Sequence, residues 1–300
     1  MRLKIGFEKV PIFIGIGAGK LPLRDKTCPF LISDSYFYNM SDLRVSLLQA
    51  DLVWHDAAAN RANFQEKIRQ LPPTDLIVLP EMFTTGFSME AATLAERMDG
   101  ETVAWMRQMA QERNAVVMGS LIMEEDGHYY NRLLWMRPDG THAHYDKRHL
   151  FRMAGECEAY TPGTQRLVVE LNGWRICPMV CYDLRFPVWA RNTPVAYDVL
   201  IYIASWPDRR RLAWQTLLKA RAIENLAYCV GVNRVGTDAK GHAYAGDSAA
   251  YNLLGEELTH NEHDEAVTTI TLSRQHLEET REKLPWHLDA DTFTLHVEQQ

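Results

Sequence analysis

The sequence predicts an α/β fold of mixed α+β type, and three observations carry that reading. Short, continuously apolar runs such as DLIVL (residues 75–79) and VLIYIA (199–204) suit strands covered on both faces. Segments of helical period stand between such runs, the alternation of an α/β chain. Hairpin signals interrupt that alternation, so the sheets are expected to be mixed rather than purely parallel.

Taken in order, residues 43–49 (LRVSLLQ) form the first strand candidate. Residues 56–70 read as an amphipathic helix carrying Asn63, Phe64 and Ile68, stopped by Pro72-Pro73 because proline cannot continue the ladder. The strand at 75–79 follows, then a helical pattern over 96–113 and a strand at 115–122. A hairpin pairs 129–137 with 141–145 across Pro138-Asp139-Gly140. Residues 174–180 form a strand that runs into Cys181, and 199–204 form another. A helix at 211–226 leads to a strand at 228–232, and a second hairpin spans 248–258, turning near Gly255. Residues 281–293 (REKLPWHLDADTF) read as an extended tail anchored by Trp286, packed on the body of the fold or on a partner subunit.

Three hundred residues suit one large domain, or one domain with an appendage. A formal net charge of −7 argues against a broad basic surface for nucleic acid or anionic lipid. Five irregularly spaced cysteines are too few for a secreted disulfide framework, so a reducing compartment, the cytoplasm, is expected. The first 39 residues differ from the rest, with a local charge of +3 that leaves −10 for the remainder. The apolar run at 10–18 is too short to span a bilayer, and Glu8 before it makes a poor signal peptide. Gly15, Gly17, Gly19 and Lys20 imitate a phosphate loop, but Ile14 and Leu21 stand where it needs a glycine and a hydroxyl. Met40 directly precedes the first patterned strand. Residues 1–39 are therefore expected to lie outside the fold, and 40–300 to form one domain.

Strands that end abruptly in a reactive residue are where α/β folds place their chemistry. LPEMF delivers Glu81 just beyond a buried strand, where partial desolvation suits general-base work; taken alone it also reads as a loop glutamate. YDKRHLF places Lys147 after a hairpin strand, where its charge can stabilise a developing oxyanion; taken alone it is an ordinary basic turn. His142, His144 and His149 lack partners at ligand spacing, so no metal is expected. CPMVCYDLRFP ends a strand at Cys181, exposing the sulfur at an elbow, with the next backbone N–H aimed where an oxyanion forms. A helix opening at Asp183 would add a dipole that favours thiolate. Cys177 and Cys229, inside apolar strands, read as structural thiols, and Cys157 stays open.

A Glu, a Lys and a Cys, each after a strand and in that chain order, resemble the catalytic triad of the nitrilase superfamily over residues 43–285. The resemblance implies a four-layer α-β-β-α sandwich, assembly into dimers or larger homo-oligomers, and no metal or organic cofactor. It also implies a second glutamate between the Lys and the Cys, which Glu156 matches better than Glu158. In the implied mechanism Glu81 deprotonates Cys181, and the thiolate attacks the amide carbon. Lys147 and the Tyr182 N–H hold the oxyanion, ammonia leaves, and water activated by Glu81 releases the acid from a thioester.

Within the superfamily, YDKRHLFRM, CYDLRFPVWARN, ASWP and RAIENLAYCVGVNRVG look most like the omega-amidases. These hydrolyse the terminal amide of 2-oxoglutaramate or 2-oxosuccinamate. A substrate carboxylate calls for a cation, and Arg185 and Arg209 to Arg211 are the candidates, each also readable as a surface arginine. Phe83 and Trp206 are candidate pocket walls, or core aromatics. The rival in the same branch acts on deaminated glutathione. A true nitrilase would carry CWE rather than CYD, and a catalytically inactive scaffold would have no need to keep all three residues.

Overall fold

In the computed structural model, which describes residues 41–193 and 195–296, the strands build two sheets. In chain order they are β1 (Leu43–Gln49), β2 (Leu76–Val78), β3 (Val116–Glu125), β4 (His128–Met136), β5 (His142–Asp146) and β6 (Val169–Leu171). There follow β7 (Trp174–Val180), β8 (Val199–Ala204), β9 (Tyr228–Asn233), β10 (Val235–Thr237), β11 (Ala243–Tyr251), β12 (Glu257–Glu262) and β13 (Ala266–Leu272). One sheet runs β13-β1-β2-β3-β4-β5, and the other β10-β11-β9-β8-β7-β6 with β12 on β11. Parallel pairs at the centre of each sheet are flanked by antiparallel ones, the mixed arrangement the hairpin signals called for.

The helices are α1 (Ala57–Arg69), α2 (Ala91–Leu94), α3 (Glu101–Arg113), α4 (Glu156–Ala159), α5 (Pro187–Ala190), α6 (Arg211–Asn225) and α7 (Arg274–Lys283). Strand alternation sorts the side chains into layers. From the first sheet, Val45, Leu47, Val78, Met118, Leu133 and Trp135 face the second sheet and join a core with Ile176 and Ile201. Their neighbours Leu48, Ile77, Val117 and Leu134 face α1 and α3, packing with Phe64, Ile68, Met106 and Met109. On the far side, α6 sets Trp214 and Leu218 so close to β9 that a Cβ on Gly231 would lie 2.4 Å from Leu218. Helix, sheet, sheet and helix therefore stack in four layers. Each fully buried Leu, Ile or Val contributes about 1.5–3 kcal/mol by leaving water.

Several boundaries differ from the sequence expectation. The second long helix starts at Glu101, not at residue 96, because Glu96 bridges to Met123 and its carboxylate accepts the Thr102 N–H at 2.7 Å. The last hairpin is longer than 248–258, and the unanticipated β13 pairs antiparallel with β1 along its whole length. The expected extended tail is helical through Lys283, with Arg281 bound to Asp198 at 2.6 Å. Trp286 then opens a 3-10 turn and lines a groove with Pro187 and Val188 while remaining 38% exposed. The expectations for residues 1–39 lie outside the described residues. Among the described residues no helix is long and apolar enough to cross a membrane.

Candidate active site

Glu81 follows β2 through Leu79 and Pro80 and is fully buried. The chain turns sharply after it: Met82 takes a left-handed φ of 45° and donates its N–H to Ser120 Oγ at 2.9 Å. Glu81 Oε2 accepts the Ser205 N–H at 2.8 Å. Its Oε1 accepts from Lys147 Nζ at 2.9 Å and from Asn131 Nδ2 at 2.8 Å. Lys147 comes directly off β5, where its backbone N–H bonds Asn131 O at 3.0 Å. Its ammonium also donates to both oxygens of Glu156, each at 2.9 Å. An ammonium has three hydrogens, and here each has a carboxylate acceptor. Glu156 opens α4, buried like the other two, and further accepts the Phe151 N–H at 2.5 Å and Asn131 Nδ2 at 3.1 Å. Glu158 takes no part in these bonds.

Cys181 begins a five-residue 3-10 turn, Cys181–Arg185, where β7 stops. Its φ of 45° is strained for a residue with a Cβ, at a cost of about 1–2 kcal/mol. Asp183 holds the turn in place. Its buried carboxylate accepts the Val180 N–H at 3.1 Å, the Tyr145 hydroxyl at 2.8 Å and the His149 N–H at 3.0 Å, with His149 Nδ1 also 2.8 Å away. Tyr145 and His149 bracket Lys147 in sequence, so one carboxylate ties the cysteine turn to the lysine segment. His149, stacked on Phe186 at 3.8 Å, is thereby committed to this link.

The charges follow from burial and proximity. Burial alone would pull the Lys147 pKa down, but the Glu156 and Glu81 carboxylates outweigh it and hold the ammonium well above the usual range. Burial raises the Glu156 carboxyl; Lys147 opposes the rise and the like charge of Glu81 adds to it. Burial also pushes the Cys181 thiol well above the usual range, and the negative charge of Glu81 pushes it further while Lys147 opposes the rise. The expected helix dipole at Asp183 is not there, since a short 3-10 turn supplies none of consequence. Cys181 is therefore held as a thiol with a base beside it, rather than as a preformed thiolate. Burial lifts Cys177 to about 12 and raises Cys229 as well, which fits their reading as structural thiols.

A cavity of about 900 Å³, open mouth included, leads to Cys181. Tyr182, Arg185 and Trp206 line it as expected from the sequence, together with Phe87, Phe151, Arg209 and Arg210. Tyr182 stands edge-on to Phe151 at 5.0 Å. Trp206 donates its indole N–H to Arg210 O at 2.8 Å and lies 4.8 Å from the Arg185 guanidinium. Phe83 is a correction. It is fully buried against Phe64 and Trp105 under the helices, because the turn at Met82 sends it to the other face of the sheet. Arg211 is also removed from the carboxylate candidates, since it makes a two-pronged pair with Asp247 at 2.7 and 2.9 Å. Among the described residues, no carboxylate pairs with Arg185, Arg209 or Arg210. Burial, with the like charges of Arg209 and Arg185 adding, holds the Arg210 pKa below its usual value. Sequence reasoning missed Asn131 and Ser205. A polar residue inside the apolar strand YYNRLLW was the available signal for the first, and the backbone N–H of Ser205 left none.

A four-layer sandwich with a buried Glu-Lys-Cys cluster at the ends of its strands defines a class, and the family comparison agrees. The chain belongs to the carbon–nitrogen hydrolase family, whose model matches residues 44–282, and it is an amide-hydrolysing enzyme. It is 49% identical to omega-amidase YafV of Escherichia coli over 257 residues, which cover 85% of this chain and all of that protein. It is 29% identical to 2-oxoglutaramate amidase of Bacillus subtilis, over 80% of this chain and 95% of that one. The crystal structure of a CN-hydrolase superfamily protein from Xanthomonas campestris, with an arsenic adduct in its active site, matches with a TM-score of 0.84 at 47% identity. That match covers 86% of this chain and all of the other. The nitrilase-type fold expected from the motifs is the observed one.

Proposed function

We propose that this protein is an omega-amidase that hydrolyses the terminal amide of 2-oxoglutaramate or 2-oxosuccinamate through a thioester on Cys181. The observation that carries this reading is a thiol beside a buried carboxylate, at the end of a cavity whose arginines lack carboxylate partners among the described residues. Glu81 takes the thiol proton as sulfur attacks the amide carbon. The tetrahedral oxyanion is held by Lys147 and the Tyr182 N–H. Glu81 then protonates the departing nitrogen, so ammonia leaves and the acyl group stays on sulfur. Water, losing a proton to Glu81, attacks the thioester; the acid departs and the proton returns to Cys181.

The substrate carboxylate would lie against Arg210, whose guanidinium is held 5.0 Å over the Phe151 ring and whose backbone is fixed to Trp206. Arg210→Gln is expected to raise KM for 2-oxoglutaramate by about 10- to 100-fold, the loss of one charged hydrogen bond. A comparable amide without the carboxylate should be unaffected. Equal losses for both substrates would place the arginine's role elsewhere.

The four described cysteines are free thiols, which supports action in a reducing cytoplasm. The reading is tested by ammonia release from a panel of ω-amides, with Cys181→Ala as control. Turnover of 2-oxoglutaramate should exceed that of deaminated glutathione at least tenfold. The reverse order would favour the deaminated-glutathione reading.

A further inference from the structure

We propose that Asn131 is a positioning residue for amide hydrolysis: it holds Glu81 and Glu156 in place when Lys147 turns a hydrogen toward the substrate oxyanion. The inference rests on the proposed roles of Glu81, Lys147 and Cys181.

At rest, all three ammonium hydrogens of Lys147 are spent on Glu81 Oε1 and the two Glu156 oxygens. To donate to an oxyanion, Lys147 must release one of them. That leaves a carboxylate oxygen short of a donor inside a site where Glu81, Lys147 and Glu156 are all buried from water, and an unmet buried acceptor is costly. Asn131 Nδ2 already reaches Glu81 Oε1 at 2.8 Å and Glu156 Oε1 at 3.1 Å, two of the oxygens Lys147 uses. Whichever of the two the lysine leaves, the amide remains. The other oxygen of each carboxylate has its own donor, Ser205 N–H on Glu81 Oε2 and Phe151 N–H on Glu156 Oε2.

The residue type fits this task. A lysine or arginine at position 131 would add charge and draw the Glu81 proton affinity down, weakening the base. A serine is short and brings one hydrogen. An amide supplies two donors and no charge, so it bridges two like-charged carboxylates without neutralising either. The orientation is fixed by chemistry, since ionised carboxylates only accept and the NH2 must face them. Its Oδ1 is left buried without a hydrogen-bond partner, the mark of a side chain placed for its donors. The backbone locks it there. Asn131 lies opposite Ile122 on β3, and its carbonyl accepts the Lys147 N–H at 3.0 Å.

The test is steady-state kinetics of Asn131→Ala and Asn131→Asp, combined with the pH dependence of Cys181 alkylation by iodoacetamide, which needs no turnover. Asn131→Ala is expected to lower kcat by about 10- to 100-fold with KM within twofold. Losing a donor to a carboxylate destabilises its anion and raises its pKa. The acid limb of both kcat/KM and alkylation should therefore move to higher pH. Asn131→Asp, matched in shape but bringing acceptors and a third negative charge, should move it further. An unchanged kcat, or a fall in kcat with both acid limbs unmoved, would overturn the inference, the second pointing to mere packing. Glu81→Gln, run alongside, separates the two levels. If it is inactive, the roles of Glu81 and Cys181 stand and the Asn131 variants alone decide the role of the amide. Full activity in Glu81→Gln would sink the catalytic roles themselves.

Discussion

Cys181→Ala is expected to lower amide turnover by about 10,000-fold or more while leaving stability within about 1 kcal/mol of the parent. The size of the loss follows from covalent catalysis: with the sulfur gone, Glu81 has no thiol beside it to activate, and water must attack an unactivated amide directly. The small stability change follows from the residue's position. Cys181 lies at the edge of the inter-sheet core, 9% exposed, and Ala keeps the Cβ that the left-handed backbone already tolerates. Asp183, which pins the turn through Val180, Tyr145 and His149, is untouched. Ammonia release and a thermal melt on the same sample check both halves. Loss of activity together with a collapse of the melt would mark a misfolded variant, and Cys181→Ser would then carry the test.

Lys147→Met is expected to lose both activity and fold stability. The ammonium stands between two fully buried carboxylates, and its removal leaves them facing each other with Asn131 as the shared donor. Breaking a buried ion pair by deleting one partner costs about 3–5 kcal/mol, and here one cation serves two anions. The loss depends on pH with a definite sign. Burial and the neighbouring charge of Glu81 already raise the Glu156 carboxyl, and the field of Lys147 opposes that rise. Without Lys147 the folded variant holds a proton that the unfolded chain releases above about pH 4.3. Stability of the variant relative to the parent should thus improve as pH falls from about 8 toward about 5. Melts across that range decide this; a deficit independent of pH would mean that packing, not charge, is what Lys147 supplies.

The layers were legible in the sequence because the strands buried on both faces are nearly free of polar residues. Residues 174–180 and 199–204 match the observed strands end for end. Exposure on one face obscured β13: AVTTITL alternates threonines with apolar residues, and its place is fixed by antiparallel pairing with the distant β1. The site was legible where chemistry resides in a side chain at a strand end, which covers Glu81, Lys147 and Cys181. It was not legible where position depends on a backbone turn. Phe83 and Trp206 look alike as aromatics after strands, but the left-handed Met82 carries Phe83 into the helix layer while Trp206 stays on the cavity. Nor could spacing show that Asn131, 50 residues from Glu81 and 25 from Glu156, hydrogen-bonds both. Three strands had to pair before that amide met its carboxylates.

Everything proposed for the chemistry turns on whether Cys181 holds the acyl group during turnover. Mixing enzyme with 2-oxoglutaramate, quenching in acid within the first turnovers and measuring the mass of the Cys181 peptide tests it directly. The expected peptide is heavier by the acyl residue of the keto acid, and that added mass is absent from Cys181→Ala and removed by hydroxylamine. Sustained ammonia release with the Cys181 peptide unmodified, and undiminished release from Cys181→Ala, would contradict it.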